Sequence, residues 1–241
     1  MALSADGNTA AISGCDNIGA AAWFFTRSSG VWAQQGPKQV VGTSNGCYSS
    51  VALSADGNTA VVGQQVNGAW VFTRSVGLWT QQAHLQITGL SEDAYNGAGA
   101  QGYAVAIAGD ANTIAVGAPF DNKIAGATAI FTRTGNQWAQ QGPKLVGTAA
   151  SGASGQGNAL ALSADGNSLL VGAPFDTPAN GTGFGAVWFF TRSGGVWSQQ
   201  GGKVQAAELS LTPEEFGWAV ALSGDGDTAV IGGLRSTYSP N

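Results

Sequence analysis

Charge is scarce in this sequence: Lys, Arg, Asp and Glu make up 10 % of 241 residues, against roughly 25 % in an average soluble domain. The net charge is −5 and no Lys/Arg cluster occurs, which excludes the concentrated basic face that nucleic-acid binding needs. Histidine occurs once, at His84, so a histidine-rich metal site within one chain is excluded. Any Ser-His-Asp triad would depend on that residue, which the pattern puts in a connecting loop with no nucleophile-elbow motif beside it. No apolar run reaches the roughly 18 residues of a membrane span. The opening Met-Ala-Leu-Ser-Ala-Asp-Gly lacks the charged and apolar regions of a signal peptide, so neither insertion nor a targeting segment is expected. Two cysteines, Cys15 and Cys47, do not require an oxidising compartment.

Glycine and tryptophan stand in place of charge, with 38 and 8 copies, and they recur in register. Ala-Leu-Ser-Ala-Asp-Gly-Asn-Thr-Ala at 2–10 returns at 52–60, and close variants begin at Ala106, Ala161 and Ala221. The starts lie 50, 54, 55 and 60 residues apart, in the range of propellers, solenoids and arrays. A second phrase, Trp-Phe-Phe-Thr-Arg followed by Trp-Ala-Gln-Gln, occupies 23–35 and recurs at 70–82, 129–141 and 188–200. A third, Val-Gly-Ala-Pro-Phe-Asp, occupies 116–121 and 171–176.

Each phrase has strand chemistry. Val51–Ser54 and Thr59–Val62 are short apolar runs around Asp56-Gly57, which predicts a hairpin with a type I′ turn. Trp70–Thr73 and Leu78–Gln81 are aromatic and β-branched, with a glycine turn between them, which predicts a second hairpin. One period is therefore four antiparallel strands, A to D. The chain reads as a single all-β domain over 1–241, a β-propeller with repeats at about 1–48, 49–102, 103–157 and 158–216 and a partial fifth at 217–241. It is either five-bladed or a segment of a larger propeller. No helical period of 3.6 occurs.

The order Gln101-Gly102-Tyr103-Ala104-Val105, Val116-Gly117-Ala118-Pro119, Ala129-Ile130-Phe131-Thr132-Arg133 resembles FG-GAP repeats, the units of the integrin α-subunit propeller and of bacterial surface proteins, and Phe216-Gly217-Trp218-Ala219-Val220 is similar to their first half. The resemblance implies a propeller, an extracellular or cell-surface setting and a role in adhesion. The family often carries a calcium loop between strands A and B. The short Ser-Ala-Asp-Gly-Asn turns here offer too few oxygens for one, so no cofactor is expected.

Two sets of polar residues follow from this layout. Asp6, Asp56, Asp110, Asp165 and Asp225 sit in A–B turns, and Arg27, Arg74, Arg133 and Arg192 end strand C on the same face. They are expected to be structural, capping turns and forming charge-assisted hydrogen bonds. The opposite face carries the variable B–C and D–A connections, where binding groups are usually placed. Its candidates are Asp16, Asp121, Asn122 and Asp176 after strand B, Glu92, Asp93 and Tyr95 in the long loop of the second repeat, and Tyr103 and Trp218 at the mouth. Carboxylate pairs such as Glu92–Asp93 or Glu214–Glu215 could serve glycoside chemistry but read as solvated loop residues.

The expected function is thus a non-catalytic binding or adhesion module holding a glycan or protein ligand on the loop face, with a ligand-free structural array as the alternative. Cys15 and Cys47 both fall on that face, and the extracellular habit of the resembling family supports a disulfide between them. The fifth repeat holds only its first two strands, at 219–233, and Met1 stands where the other copies have Val51, Val105, Leu160 and Val220. An unpaired apolar edge there predicts pairing with another chain, hence a homo-oligomer.

Overall fold

The computed structural model describes residues 1–15, 19–42, 49–91, 99–177, 185–206 and 215–234. They form 19 strands. The first sheet comprises β1 (Ala2–Leu3), β2 (Thr9–Cys15), β3 (Ala20–Ser28), β4 (Val31–Gln34) and β5 (Gln39–Gly42). The second comprises β6 (Ser49–Leu53), β7 (Thr59–Gln64), β8 (Gly68–Ser75) and β9 (Leu78–Leu85). The third runs β10 (Val105–Ile107), β11 (Thr113–Ala118), β12 (Ala127–Thr134), β13 (Gln137–Gln140). The fourth runs β14 (Ala159–Leu162), β15 (Ser168–Ala173), β16 (Ala186–Ser193), β17 (Val196–Val204). The fifth is the pair β18 (Ala219–Leu222) and β19 (Ala229–Gly232). Within each sheet consecutive strands pair antiparallel, except that β5 pairs with β3, and the innermost strands β1, β6, β10, β14 and β18 pack against successive neighbours. The architecture is that of a β-propeller, with each sheet a blade.

The strand count exceeds the 18 read from the repeats because the outermost strand of the first blade is broken in two. Pro37 interrupts it, and Pro143 likewise ends β13 early, since proline cannot donate to the ladder. The second and fourth blades have Ala83 and Gly201-Gly202 at the corresponding place, and β9 and β17 run on through a bulge.

The A–B turns are not type I′. Gly7, Gly57, Gly166 and Gly226 have positive φ, the preceding Asp does not, and the strands are joined by four residues, with Ser4 N–H donating to Thr9 C=O. The tight aspartate network described below favours this longer loop over the two-residue one. A Cβ on Gly57 would meet Thr9 Oγ1 of the previous blade at 2.8 Å, so the glycine serves both the turn and the blade contact. Ala111 takes that backbone conformation, at φ 59°, without being glycine.

Three apolar clusters form where blades meet face to face. Ala11, Ala22 and Phe24 of the first blade pack on Leu53, Val62, Phe72 and Trp79 of the second. Val61, Ala69 and Val71 meet Ile114, Val116 and Phe131, and Ala106, Ala115 and Ile130 meet Leu169, Val171, Trp188 and Phe190. Each blade thus presents a small-residue back to the larger-residue front of the next. Glycines before strand A and near the end of strand B also shape the joint. Gly102, Gly157 and Gly217 donate within their own blades to Gly117, Gly172 and Gly232, and a Cβ on Gly63, Gly117 or Gly172 would collide with the carbonyl of Gly102, Gly157 or Gly217 in the next blade.

The Trp-x-Gln-Gln phrase also joins blades. Gln35 Oε1 accepts from Trp79 Nε1 at 3.0 Å and from Arg74 at 3.3 Å, Gln82 accepts from Trp138, and Gln141 accepts from Trp197 and Arg192. Gln140 and Gln199 accept from Thr88 and Thr148, which follow the preceding blade.

Candidate functional site

On the turn face every conserved-looking charge of the repeat has a local partner. Asp6 accepts from Ser4 Oγ at 2.6 Å, from the Asn8 N–H at 2.9 Å and from Asn8 Nδ2 at 3.0 Å. These bonds, the Ser4 hydroxyl foremost, hold its carboxyl down at about 2. The Ser163 hydroxyl and Asn167 lower the carboxyl of Asp165, and Ser223 and the Asp227 N–H that of Asp225. Asp56 sits in a matching network, whereas Asp110 keeps only the two bonds from Asn112, because Ala108 replaces the serine. The arginines reach the asparagine of the turn instead of its aspartate: Arg27 to Asn8, Arg74 to Asn58, Arg133 to Asn112 and Arg192 to Asn167. Each also lies 5.4–5.6 Å over Trp32, Trp79, Trp138 or Trp197, a cation–π contact.

The loop face is stapled by buried ion pairs. Asp121 is fully buried, receives Lys144 Nζ at 2.6 Å and accepts the Ser91 N–H at 2.7 Å. Asp176 repeats this with Lys203 at 2.7 Å and the Ser151 N–H at 2.8 Å. Each carboxylate ties three segments: its own B–C connection, the connection entering its blade, and the end of strand D, within β17 for Lys203 and just past β13 for Lys144. Both are therefore committed to the scaffold, and Asn122 projects from the adjoining turn, exposed. Tyr103 is half-buried with its ring 6.0 Å from Phe120, and Trp218 is half-buried and edge-on to Phe175 at 6.2 Å. Asp16, Glu92, Asp93, Tyr95 and Glu214 lie outside the described residues, as does Cys47 and with it the bridge to Cys15, which ends β2 half-buried. Among the described residues no three carboxylate, thiol or imidazole groups converge where a metal could sit, and no helix is long and apolar enough to cross a membrane.

The second blade departs from this staple. The position held by Lys144 and Lys203 is His84, which lies in β9 and not in a loop. The cross-strand register sets it beside Trp70, and the two rings stack at 4.2 Å. Its Nε2 is 2.6 Å from the Asn67 carbonyl. A carbonyl only accepts, so Nε2 is the donor, and in the neutral ring the lone pair is on Nδ1. Stacking and hydrogen bond together fix an exposed imidazole with one basic nitrogen on the loop face. The signal was present in the sequence: Gln-Gln-Gly-Pro-Lys at 34–38 and 140–144 becomes Gln-Gln-Ala-His at 81–84.

A ladder of four-stranded blades with variable loops on one face defines a propeller protein. Solved structures similar to this chain are propeller-like as well. They include PpgL, named a periplasmic gluconolactonase, of Pseudomonas aeruginosa, with 16 % identity and a TM-score of 0.63 over 96 % of this chain and 64 % of that one. A protein of Bacteroides uniformis, named provisionally as a 6-phosphogluconolactonase, has 13 % identity and a TM-score of 0.53 over 85 % and 53 %. TolB of Acinetobacter baumannii has 12 % identity and a TM-score of 0.50 over 95 % and 47 %. The chain spans about half to two thirds of the length of these structures. No family model matches it, and no curated protein sequence aligns with it.

These likenesses correct two expectations. The non-catalytic adhesion or lectin module, with its ligand-free alternative, gives way because two of the three structures bear the names of lactone-hydrolysing enzymes. The expectation of a chain without catalysis falls with it. An integrin-like role drew on repeat phrases that the geometry explains as blade joints, and blade joints carry no information about adhesion.

Proposed function

We propose that this chain is a propeller hydrolase acting on a sugar-acid lactone. The observation that carries the reading is the alignment of nearly the whole chain, at a TM-score of 0.63, on a structure named as a gluconolactonase. Lactone hydrolysis adds water across the acyl C–O bond. The water oxygen bonds to the carbonyl carbon, the ring oxygen leaves with a proton, and a hydroxy acid forms. The reaction needs a group that takes a proton from water and returns it to the leaving oxygen. His84 is suited to that part, with its ring clamped by Trp70 and Asn67 and Nδ1 open to accept. The repeats themselves are of the FG-GAP type in this reading, supported by the pairing of Gly102, Gly157 and Gly217 with Gly117, Gly172 and Gly232. A location outside the cytoplasm accords with that type.

The test is continuous titration of released acid with D-glucono-δ-lactone and its 6-phosphate, against a buffer blank that measures spontaneous opening. The expected result is saturable acceleration on at least one of them. A rate equal to the blank on both, from folded protein, overturns the reading.

A further inference from the structure

Among the described residues the fronts of the second, third and fourth blades are covered and that of the first is not. Leu53, Val62 and Trp79 are buried beneath the first blade, and the third and fourth blades are covered in the same way. The matching residues of the first blade, Leu3, Ile12 and Trp32, are exposed by 53 %, 38 % and 41 %, and with Met1, Ala10 and Phe25 they line an open apolar cavity of about 370 Å³. At the other end the last blade shows its back. Ala219, Ala221 and Val230 are exposed there, and Ala221 and Val230 match Ala52 and Val61, which cover the front of the third blade. One chain therefore carries one uncovered front and one uncovered back of the same repeat.

We propose that these two faces are partners, so that a second copy of this chain docks head to tail, seating its β18–β19 back on the β1–β2 front of the first. The occupant follows from continuity with the blade joints already present. Their residue types are met at both faces, and a backbone series runs along the same joint: Ala5 N–H donates to Ala55 C=O at 2.9 Å, Ala55 to Gly109 at 3.3 Å and Ala164 to Gly224 at 2.8 Å. Gly224 and Ala5 stand at the two ends of that series, and docking would bring Gly224 N–H of one copy to Ala5 C=O of the next. The contact is heterologous, so it closes into a ring or extends as an array according to the rotation it imposes.

Cross-linking reads the geometry directly. Within the chain, a Cβ built on Gly224 lies 3.5 Å from the Ala164 Cβ, inside the span of a disulfide. Position 224 of one copy should meet position 5 of the next at the same spacing. In a Cys15→Ser/Cys47→Ser background, Ala5→Cys and Gly224→Cys proteins are prepared separately, then mixed under mild oxidation and analysed beside light scattering at tens of micromolar. The expected result is a covalent pair in the mixture and in neither protein alone, with parental assembly that Ile12→Lys abolishes while the thermal transition persists. A monomer in solution with no cross-link overturns the proposal. So do covalent pairs of Ala5→Cys alone, which would mean front-to-front docking.

Discussion

The second and fourth blades have the same four strands in the same order, yet at the loop-face end of strand D they do opposite things. The fourth spends a lysine there on neutralising a fully buried aspartate. The second has neither group and holds an exposed imidazole against a tryptophan. Where the repeat is kept, polar side chains are consumed by the scaffold. Where it is broken, a basic nitrogen becomes available. That contrast is why the acid–base part of the proposed reaction falls to His84 and not to Asp121 or Asp176, two of the ligand-binding candidates of the sequence.

The sharpest way to break the contrast is Lys203→Met. It leaves Asp176 buried without its cation and should cost about 3–5 kcal/mol, read as a lower denaturant midpoint. His84→Asn, at an exposed position, should cost no more than about 1 kcal/mol. Equal losses would show that the staple and the histidine corner are the same kind of structural joint. Next in size is the glutamine clip. Gln141→Ala strips Oε1 from Trp197 and Arg192 across a blade joint and should cost about 1–3 kcal/mol. Gln200→Ala, exposed at the last complete blade, should stay within about 0.5 kcal/mol, unless another blade covers it.

Smaller effects separate the turns. Ala111→Gly should stabilise by up to about 1 kcal/mol by relieving a positive φ, while Gly57→Ala at φ 67° should destabilise, both read from thermal midpoints. The weakest effect is in pH. The carboxyl of Asp6 is depressed in the folded chain to about 2, below its unfolded value near 4. Its contribution to stability is therefore complete above about pH 4 and is lost as pH falls towards 2. Carboxyl carbon NMR titration should show Asp6 ionising near 2, and Ser4→Ala should move it up.

The four-stranded antiparallel blades and their strand order were legible in the sequence because each depends on a local phrase repeated in register. The turn type was misread because Asp-Gly is shared by two-residue and longer hairpins, and the choice depended on bonds from Ser4 and Asn8 that the dipeptide does not reveal. The joint-forming role of the paired glutamines was invisible for a different reason: Gln35 and Trp79 meet only after neighbouring blades pack. Asp121 and Asp176 looked like ligand groups because their lysines lie 23 and 27 residues away, at or just past the end of strand D. The open ring was legible in part. A fifth blade of two strands was counted, but the exposed fronts and backs at the two ends required the packing of the others for comparison.

The proposed activity resides where the repeat breaks. The most direct measurement is kcat on the preferred lactone for the parent and for His84→Asn, with matched circular dichroism and melting curves. The account predicts a fall of about 100-fold or more, the usual contribution of a positioned acid–base group, with folding intact. Turnover by His84→Asn within twofold of the parent would contradict it.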